Sequence, residues 1–331
     1  MKAICYPARD EVRVMDLPDP QPGEGEVVLE VRAGGICHTD IEVLHGNYGT
    51  SAFPVVPCHE YAGVVAEVGP GVTGLSVGDR VVVDPNLECG TCKACRRGWA
   101  HLCENLGAYG VTTNGGFAER SVVKASLLHP IGDLPFHVAA LAEPMGCVLN
   151  GVDATHSGEA RSALIFGAGP MGLLMAIALK TRGVAEISLV DIDDARLELT
   201  ESFGFVPVAS GSAALEGMRH AADLVVEATG VPSVAAGLTD YIANGGTGHF
   251  FGVCPAEARI EISPFDVFRR QLTLVGSHSL NHNIPAALAA IEDFGPDIAR
   301  LVSHRLPLED VASALAGTPP AGSLKIQASL D

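Results

Sequence analysis

The sequence predicts an α/β fold, a doubly wound parallel sheet joined to a second, β-rich domain. Three observations predict it. Gly167-x-Gly169-x-x-Gly172 stands between a β-type run, Ala163 to Phe166, and apolar positions that recur at helical spacing up to Gly183. Further β-type runs follow, with helical stretches between them: Glu186 to Val190, a weak one near Val206, Leu224 to Glu227, Thr247 to Phe251 and Leu272 to Val275. Ahead of all these, the chain alternates apolar and polar residues in short pieces broken by glycine and proline.

The first part of the chain justifies the β-rich domain. Residues 1 to about 34 are interrupted by Pro18, Pro20, Pro22 and Gly23, and Val27 to Val31 is the clearest strand. From Tyr61 to Asp84 the pattern continues through Ala62 to Val68, the Gly69-Pro70-Gly71 turn and Gly78 to Val83. Short strands with Gly and Pro turns predict a twisted, partly closed sheet. A helical sector with alternating strands runs from about Phe136 to Gly276, interrupted in its last crossover by Pro264 to Arg270. Six strands alternating with helices make a doubly wound parallel sheet, with ligands at the carboxyl ends of the strands. The tail from about Ser277 to Asp331 returns to mixed helix and strand.

The glycine series carries the most local chemistry. Gly167 makes the turn from strand to helix, Gly169 lets backbone N–H groups approach a pyrophosphate, and Gly172 lets the helix pack close to the sheet. Pro170 and Met171, between Gly169 and Gly172, are expected among the cofactor-binding residues. The run from Glu186 ends in Asp191, about twenty residues further on, where an acid that binds a ribose is expected. Dinucleotide binding follows from strand, turn, helix and acid together.

At 331 residues, 47% hydrophobic and 18% charged, the chain is long enough for two domains with their own cores. Its 21 Lys and Arg against 39 Asp and Glu give a net charge of −18, which argues against nucleic acid as a partner. Lys2 is followed by only a short apolar piece before Pro7, so neither a signal peptide nor a membrane span is expected. The nine cysteines, an odd count without a secretory leader, point to metal ligands and free thiols in a reducing, cytoplasmic compartment.

Cys89-x2-Cys92-x2-Cys95-x7-Cys103 is the strongest single signal. Four thiolates at these spacings wrap one tetrahedral Zn²⁺, with Gly90 and Gly98 permitting the turns, and such a closed site is structural. A second constellation is dispersed: Gly35-Ile36-Cys37-His38-Thr39-Asp40, Pro57 to Gly63 around Cys58-His59-Glu60, and Ala142-Glu143-Pro144. Cys37, His59 and Glu143 together supply one sulfur, one nitrogen and one oxygen donor, suited to a zinc with an open position.

These fragments, with Gly115-Gly116-Phe117-Ala118-Glu119, Glu227-Ala228-Thr229-Gly230 and Gly276-Ser277, resemble the zinc-dependent medium-chain alcohol dehydrogenases across essentially the whole chain. Glu143-Pro144 resembles the polyol, or sorbitol-type, branch, because the ethanol-active branch has cysteine there. The resemblance implies a Rossmann doubly wound parallel sheet plus a GroES-like β-rich catalytic domain. It divides the chain into a catalytic zinc-binding part at 1–146, an NAD-binding domain at 147–276 and a return segment of the catalytic domain at 277–331.

The resemblance also implies roles. Cys37 and His59 are expected to bind the catalytic zinc, Glu143 to be a third ligand or to hold the zinc-bound water, and Glu60 to swing on and off. Asp40 is expected to orient His59 through its other ring nitrogen, and Thr39 to relay the substrate proton. His38 is expected near the pyrophosphate and Arg196 near the adenosine, with Thr229, Gly252, Val253, Gly276 and Ser277 along the cofactor. Two departures stand out. Cys58 occupies a position where glycine is usual, and Glu42 one where many members have the relay histidine, so either Glu42 or water receives the proton.

The expected activity is zinc- and NAD-dependent oxidation of a secondary alcohol, on a polyol or related polyhydroxy compound, to the ketone, with two Zn²⁺ per chain. A homodimer or homotetramer is the family expectation. The competing readings are a zinc-free NADPH-dependent reductase of the same superfamily and a non-catalytic NAD(H)-binding sensor.

Overall fold

A computed structural model describes residues 1–48, 52–156 and 158–330. The chain divides into two compact units, one formed by Met1–Pro144 with Ile284–Asp331 and the other by Met145–Asn283.

The first unit opens with the antiparallel pair β1 (Lys2–Cys5) and β2 (Arg13–Asp16). Next come β3 (Glu26–Gly35), α1 (His38–Leu44), β4 (Glu60–Val68) and β5 (Arg80–Val83). The short strands β6 (Asn86–Leu87) and β7 (Gly107–Ala108) pair with one another and clamp the base of the four-cysteine lobe. Then follow β8 (Arg120–Lys124), β9 (Leu128–Pro130) and α2 (Phe136–Ala139).

Helix α3 (Ala142–Thr155) leads to the strands of the second unit. These are β10 (Ser162–Phe166), β11 (Glu186–Asp191), β12 (Val206–Ala209), β13 (Ala222–Glu227), β14 (Ile242–Phe250) and β15 (Thr273–Gly276). The chain then returns to the first unit for β16 (Val302–Leu306) and β17 (Lys325–Ser329).

In the first unit the sheet order is β16-β17-β3-β4-β5-β9, with β8 also on β3. Strand β3 organises it because Val27, Val28, Leu29 and Val31 are all fully buried. One end of β3 pairs with β8 and the other, at Ala33 to Gly35, with the chain's last strand, β17. Tyr6, Leu29, Tyr61, Val65, Val81 and Phe117 fill the core between these strands.

In the second unit the expected doubly wound sheet is present, all parallel, in the order β12-β11-β10-β13-β14-β15. The order reverses between β10 and β13, so a crevice opens at the carboxyl ends of those strands. Helices α4 (Pro170–Thr181) and α5 (Asp194–Ser202) follow β10 and β11. Helix α4 is buried from Gly172 through Leu179, which explains why its sequence reads apolar on every face. The weak run near Val206 forms the outermost strand, β12. Strand β14 starts at Ile242, earlier than the run from Thr247, with a register shift on β13 between Ala222 and Leu224. The segment Ser277–Asn283 belongs to this unit, with Leu280 fully buried as its anchor.

Candidate active site

The register of β3 against β4 builds the first donor cluster. Gly35 lies opposite Glu60, so the residue just beyond β3 and the residues that open β4 are neighbours in space. Cys37 caps the start of α1, and its sulfur, a ring nitrogen of His59 and a carboxylate oxygen of Glu60 all lie within 4.8 Å of one another. Glu143 is buried as well, and its charge acts on both His59 and Lys325. It lies outside the tightest grouping, which consists of Cys37, His59 and Glu60.

Asp40 fastens the two ligand-bearing segments together. Fully buried on α1, it accepts the Cys37 N–H at 2.8 Å on one oxygen and the Cys58 N–H at 3.0 Å on the other. His59 Nδ1 is 3.7 Å from Asp40, longer than a hydrogen bond, and is buried without a hydrogen-bond partner. Asp40 therefore acts here on backbone N–H groups more directly than on the imidazole.

Cys58 keeps the left-handed backbone that a glycine would adopt easily, with φ of 85°. Its thiol is fully buried in the core of the first unit, 3.7 Å from the Gly35 carbonyl oxygen and 3.6 Å from that of Glu60. Burial pushes that thiol well above its usual pKa, and it is not part of the donor cluster.

Lys325 is the residue of this pocket that sequence reasoning missed. It is buried on β17, donates to the Ile36 carbonyl oxygen at 2.9 Å, and forms an ion pair with Glu60. Burial alone would discharge it, yet its pKa is raised because Glu60 and Cys37 outweigh that cost. His59 behaves alike: burial opposes its charge, and Cys37, Asp40 and Glu143 more than compensate. Acids therefore outnumber the fixed cation in this pocket, and one nitrogen is left orphaned. A cation bound by S, N and O donors fits that imbalance, and zinc fits those donor types.

The second cluster is the lobe. Cys89, Cys92, Cys95 and Cys103 place their sulfurs within 4.8 Å of one another. Cys92 and Cys95 sulfurs are 3.4 Å apart, too far for a disulfide, and all nine cysteines are free. Backbone N–H groups of Cys89 and Asn105 each point at Cys103 Sγ at 3.3 Å. The backbone and hydroxyl of Thr91 lead the donors that pull the Cys89 thiol down to about 5. Gly90 and Gly98, with φ of 68° and 76°, make the turns that return the chain on itself. Four converging sulfurs fit a closed tetrahedral site.

In the second unit the glycine series behaves as its spacing predicts. Gly167 has φ of 104°, and a Cβ on Gly172 would sit 1.8 Å from the Gly167 carbonyl oxygen. A Cβ on Gly169 would meet only the tip of Arg196 at 3.9 Å, so the space above the α4 N-terminus is open, as a pyrophosphate needs. Pro170 occupies the first turn of that helix and Met171 follows it. Asp191 ends β11 and accepts the Ala168 N–H at 2.7 Å and the Ile192 N–H at 2.8 Å. The Arg196 guanidinium lies 3.6 Å from Asp191, while Asp193 caps α5.

Glu227 is fully buried and gathers the next loop, accepting from the Thr229 N–H at 2.6 Å, the Thr229 hydroxyl and the Gly230 N–H at 2.9 Å. Gly252 donates its N–H to the Glu227 carbonyl oxygen at 2.7 Å, and Val253 beside it is exposed. Gly276 ends β15, and Ser277 follows with its hydroxyl 2.9 Å from His249 Nε2.

Thr39 places its hydroxyl 3.7 Å from Cys37 Sγ. One face further round α1, His38 is exposed and its Nε2 lies 3.3 Å from a Glu42 carboxylate oxygen.

Comparison with known proteins agrees with this architecture. Residues 23–133 match the alcohol dehydrogenase GroES-like domain and residues 136–321 the glucose dehydrogenase C-terminus. The chain is 51% identical to D-altritol 5-dehydrogenase of Agrobacterium fabrum (strain C58), over 99% of both chains. It is 32% identical to D-arabinitol dehydrogenase 1 of Uromyces fabae, over 98% of this chain and 96% of the other. A solved structure described as a zinc-binding dehydrogenase from Sinorhizobium meliloti 1021 bound to NADP superposes with a TM-score of 0.95 at 30% identity, covering 99% of this chain and 98% of that one.

Proposed function

Because the chain belongs to the zinc-dependent medium-chain alcohol dehydrogenase family, in its polyol branch, we propose that it oxidises one secondary hydroxyl of a polyol to the ketone with NAD. The observation that carries this reading is the grouping of half-buried Cys37 with buried His59 and Glu60, with Glu143 near it and the pocket's charge unbalanced toward the acids. The first unit is the catalytic half and the second binds the dinucleotide.

Zinc held by Cys37, His59 and a carboxylate would act as a Lewis acid that lowers the alcohol's pKa, and the nicotinamide would take the hydride. Glu60 or Glu143 is the carboxylate, and the Lys325 ammonium gives Glu60 an alternative partner when it is off the metal. Thr39 takes the substrate proton through its hydroxyl. Beyond it, the Glu42 carboxylate is already engaged by His38, so water receives the proton. Cys89, Cys92, Cys95 and Cys103 would hold a second, structural zinc, their sulfurs lying within 4.8 Å of one another.

NAD is favoured over NADP because the Asp191 carboxylate repels a 2′-phosphate and accepts ribose hydroxyls. The NADP reading has its own support in Arg196, whose guanidinium lies beside Asp191, and in the NADP of the S. meliloti structure. A panel of D-altritol, D-arabinitol, sorbitol and ethanol, each with NAD and with NADP, tests both points. Polyols are expected to exceed ethanol by orders of magnitude in kcat/KM, with NAD ahead of NADP. Comparable ethanol activity would remove the polyol assignment, and NADP equal to or ahead of NAD would remove that of Asp191.

A further inference from the structure

The segment that leaves β15 is held more tightly than a connecting loop requires. Asn150, on α3, donates through its amide nitrogen to two successive carbonyl oxygens, that of His278 at 3.1 Å and that of Ser279 at 2.8 Å. From the other side His249, on β14, places Nε2 at 2.9 Å from the Ser277 hydroxyl. Leu280 is fully buried directly beyond them.

The backbone at and just beyond these anchors is strained. Ser279 has φ of 54° and His282 has φ of 58°, left-handed conformations that are unfavourable for a residue with a Cβ. Such conformations persist only where the surroundings over-determine them, and they concentrate at functional sites.

The surroundings have been cut to fit. A Cβ on Gly151 would lie 2.7 Å from His249 Cε1 and 3.1 Å from the Ser277 hydroxyl oxygen, and one on Gly146 would lie 3.2 Å from Leu280. Small residues on α3 thus admit the segment and the imidazole at close range. His249 is itself fully buried, packs its ring against Phe251 with centroids 5.5 Å apart, and leaves Nδ1 buried without a hydrogen-bond partner. Burial lowers its pKa to about 4, so it serves as a neutral hydrogen-bonding group. A buried imidazole with one nitrogen unsatisfied is a costly way to fill a core. Its one polar contact among the described residues is Ser277.

We propose that Asn150 and His249 are positioning residues that lock Ser277–Ser279 into the conformation in which the bound dinucleotide meets it. The inference rests on the reading of the second unit as the cofactor domain, and deepens it. The segment starts at the carboxyl end of β15, the side of a doubly wound sheet where dinucleotides lie. With the strain already met in the free protein, binding does not have to order the segment, and affinity gains by that difference.

Binding of NADH and NADPH, followed by cofactor fluorescence, tests this on the purified full-length protein. Asn150→Ser and His249→Leu are each expected to weaken the preferred cofactor about tenfold, raising its KM more than they lower kcat. His249→Gln, whose amide can still reach the Ser277 hydroxyl, is expected to bind within about twofold of wild type. Adding Ser279→Gly to Asn150→Ser should recover most of the loss, because glycine adopts the left-handed backbone without the clamp. A purely structural staple would lower the melting temperature of both Asn150→Ser and His249→Leu while leaving cofactor affinity within twofold, and that result overturns the inference. Should Asn150→Ser fail to fold, the contrast between His249→Gln and His249→Leu decides alone, equal affinities overturning it. Wild-type protein that binds neither dinucleotide would instead overturn the dehydrogenase reading on which it stands.

Discussion

Cys58 shows how a residue next to a candidate metal ligand can be structural in its own right. Its left-handed φ was made for glycine, but its thiol fills core space against Gly34, where a Cβ would come within 3.0 Å of the sulfur. Cys58→Ala keeps the strained backbone and empties that space, so it should destabilise by about 1–2 kcal/mol in urea unfolding. Cys58→Gly gains back the strain and should lose less. Neither should change metal content, and a drop in bound zinc would mean the thiol reaches the metal. The proton path is a second matter for single residues. Thr39→Ala should cut kcat by about 10² or more, as loss of a general acid–base step does. Glu42→Gln should change kcat only a few fold, because its carboxylate is at the surface with His38. A large loss in Glu42→Gln, with a shifted pH profile, would make Glu42 the acceptor instead.

Elements differ in how well the sequence announced them. The glycine turn with its strand and helix, and the lobe with its four cysteines, are local constructions whose spacing is their geometry, and both are present as read. Strand β17 is the opposite case. A lysine in a short strand reads as a solvated edge residue, yet Lys325 is buried, and its partner Ile36 is 289 residues away in sequence. Asn150 reaches across 128 residues to His278 and His249 across 28 to Ser277, and no periodicity within α3 or β14 encodes either partner. Asp40 was legible as a neighbour of the ligands, while its use on two backbone N–H groups needed the register of β3 and β4. Lys325→Met tests the role of β17. Breaking a buried ion pair from one side typically costs about 3–5 kcal/mol, because the remaining charge is left without a partner. The metal-free protein should lose about that much stability, and the zinc-loaded protein less, since Glu60 then has the metal. Equal losses in both states would show that Glu60 does not exchange between ammonium and metal.

For the molecule as a whole, the two metal sites should separate under chelation. Two zinc ions per chain are expected by elemental analysis, and a chelator should remove first the one at Cys37 and His59, abolishing turnover while circular dichroism stays constant. Cys92→Ser should instead lower yield or melting temperature, since structural zinc supplies folding free energy, about 10 kcal/mol or more in small zinc peptides. One zinc or none in active protein would contradict this. The pairing of β17 with β3 has a consequence for how such a chain is made. Synthesis releases the N-terminal end first, so Cys37, His59 and Glu60 leave the ribosome well before Lys325, which lies 289 residues after Ile36. The second unit, one continuous stretch from Met145 to Asn283, can be complete before then. A nascent chain halted just short of Lys325 therefore carries a finished second unit and a first unit whose β3 edge at Ala33 to Gly35 is unsealed and whose acidic pocket lacks its ammonium. That interval is when a chaperone has an exposed strand edge to hold, and when Glu60 stands without its ammonium partner.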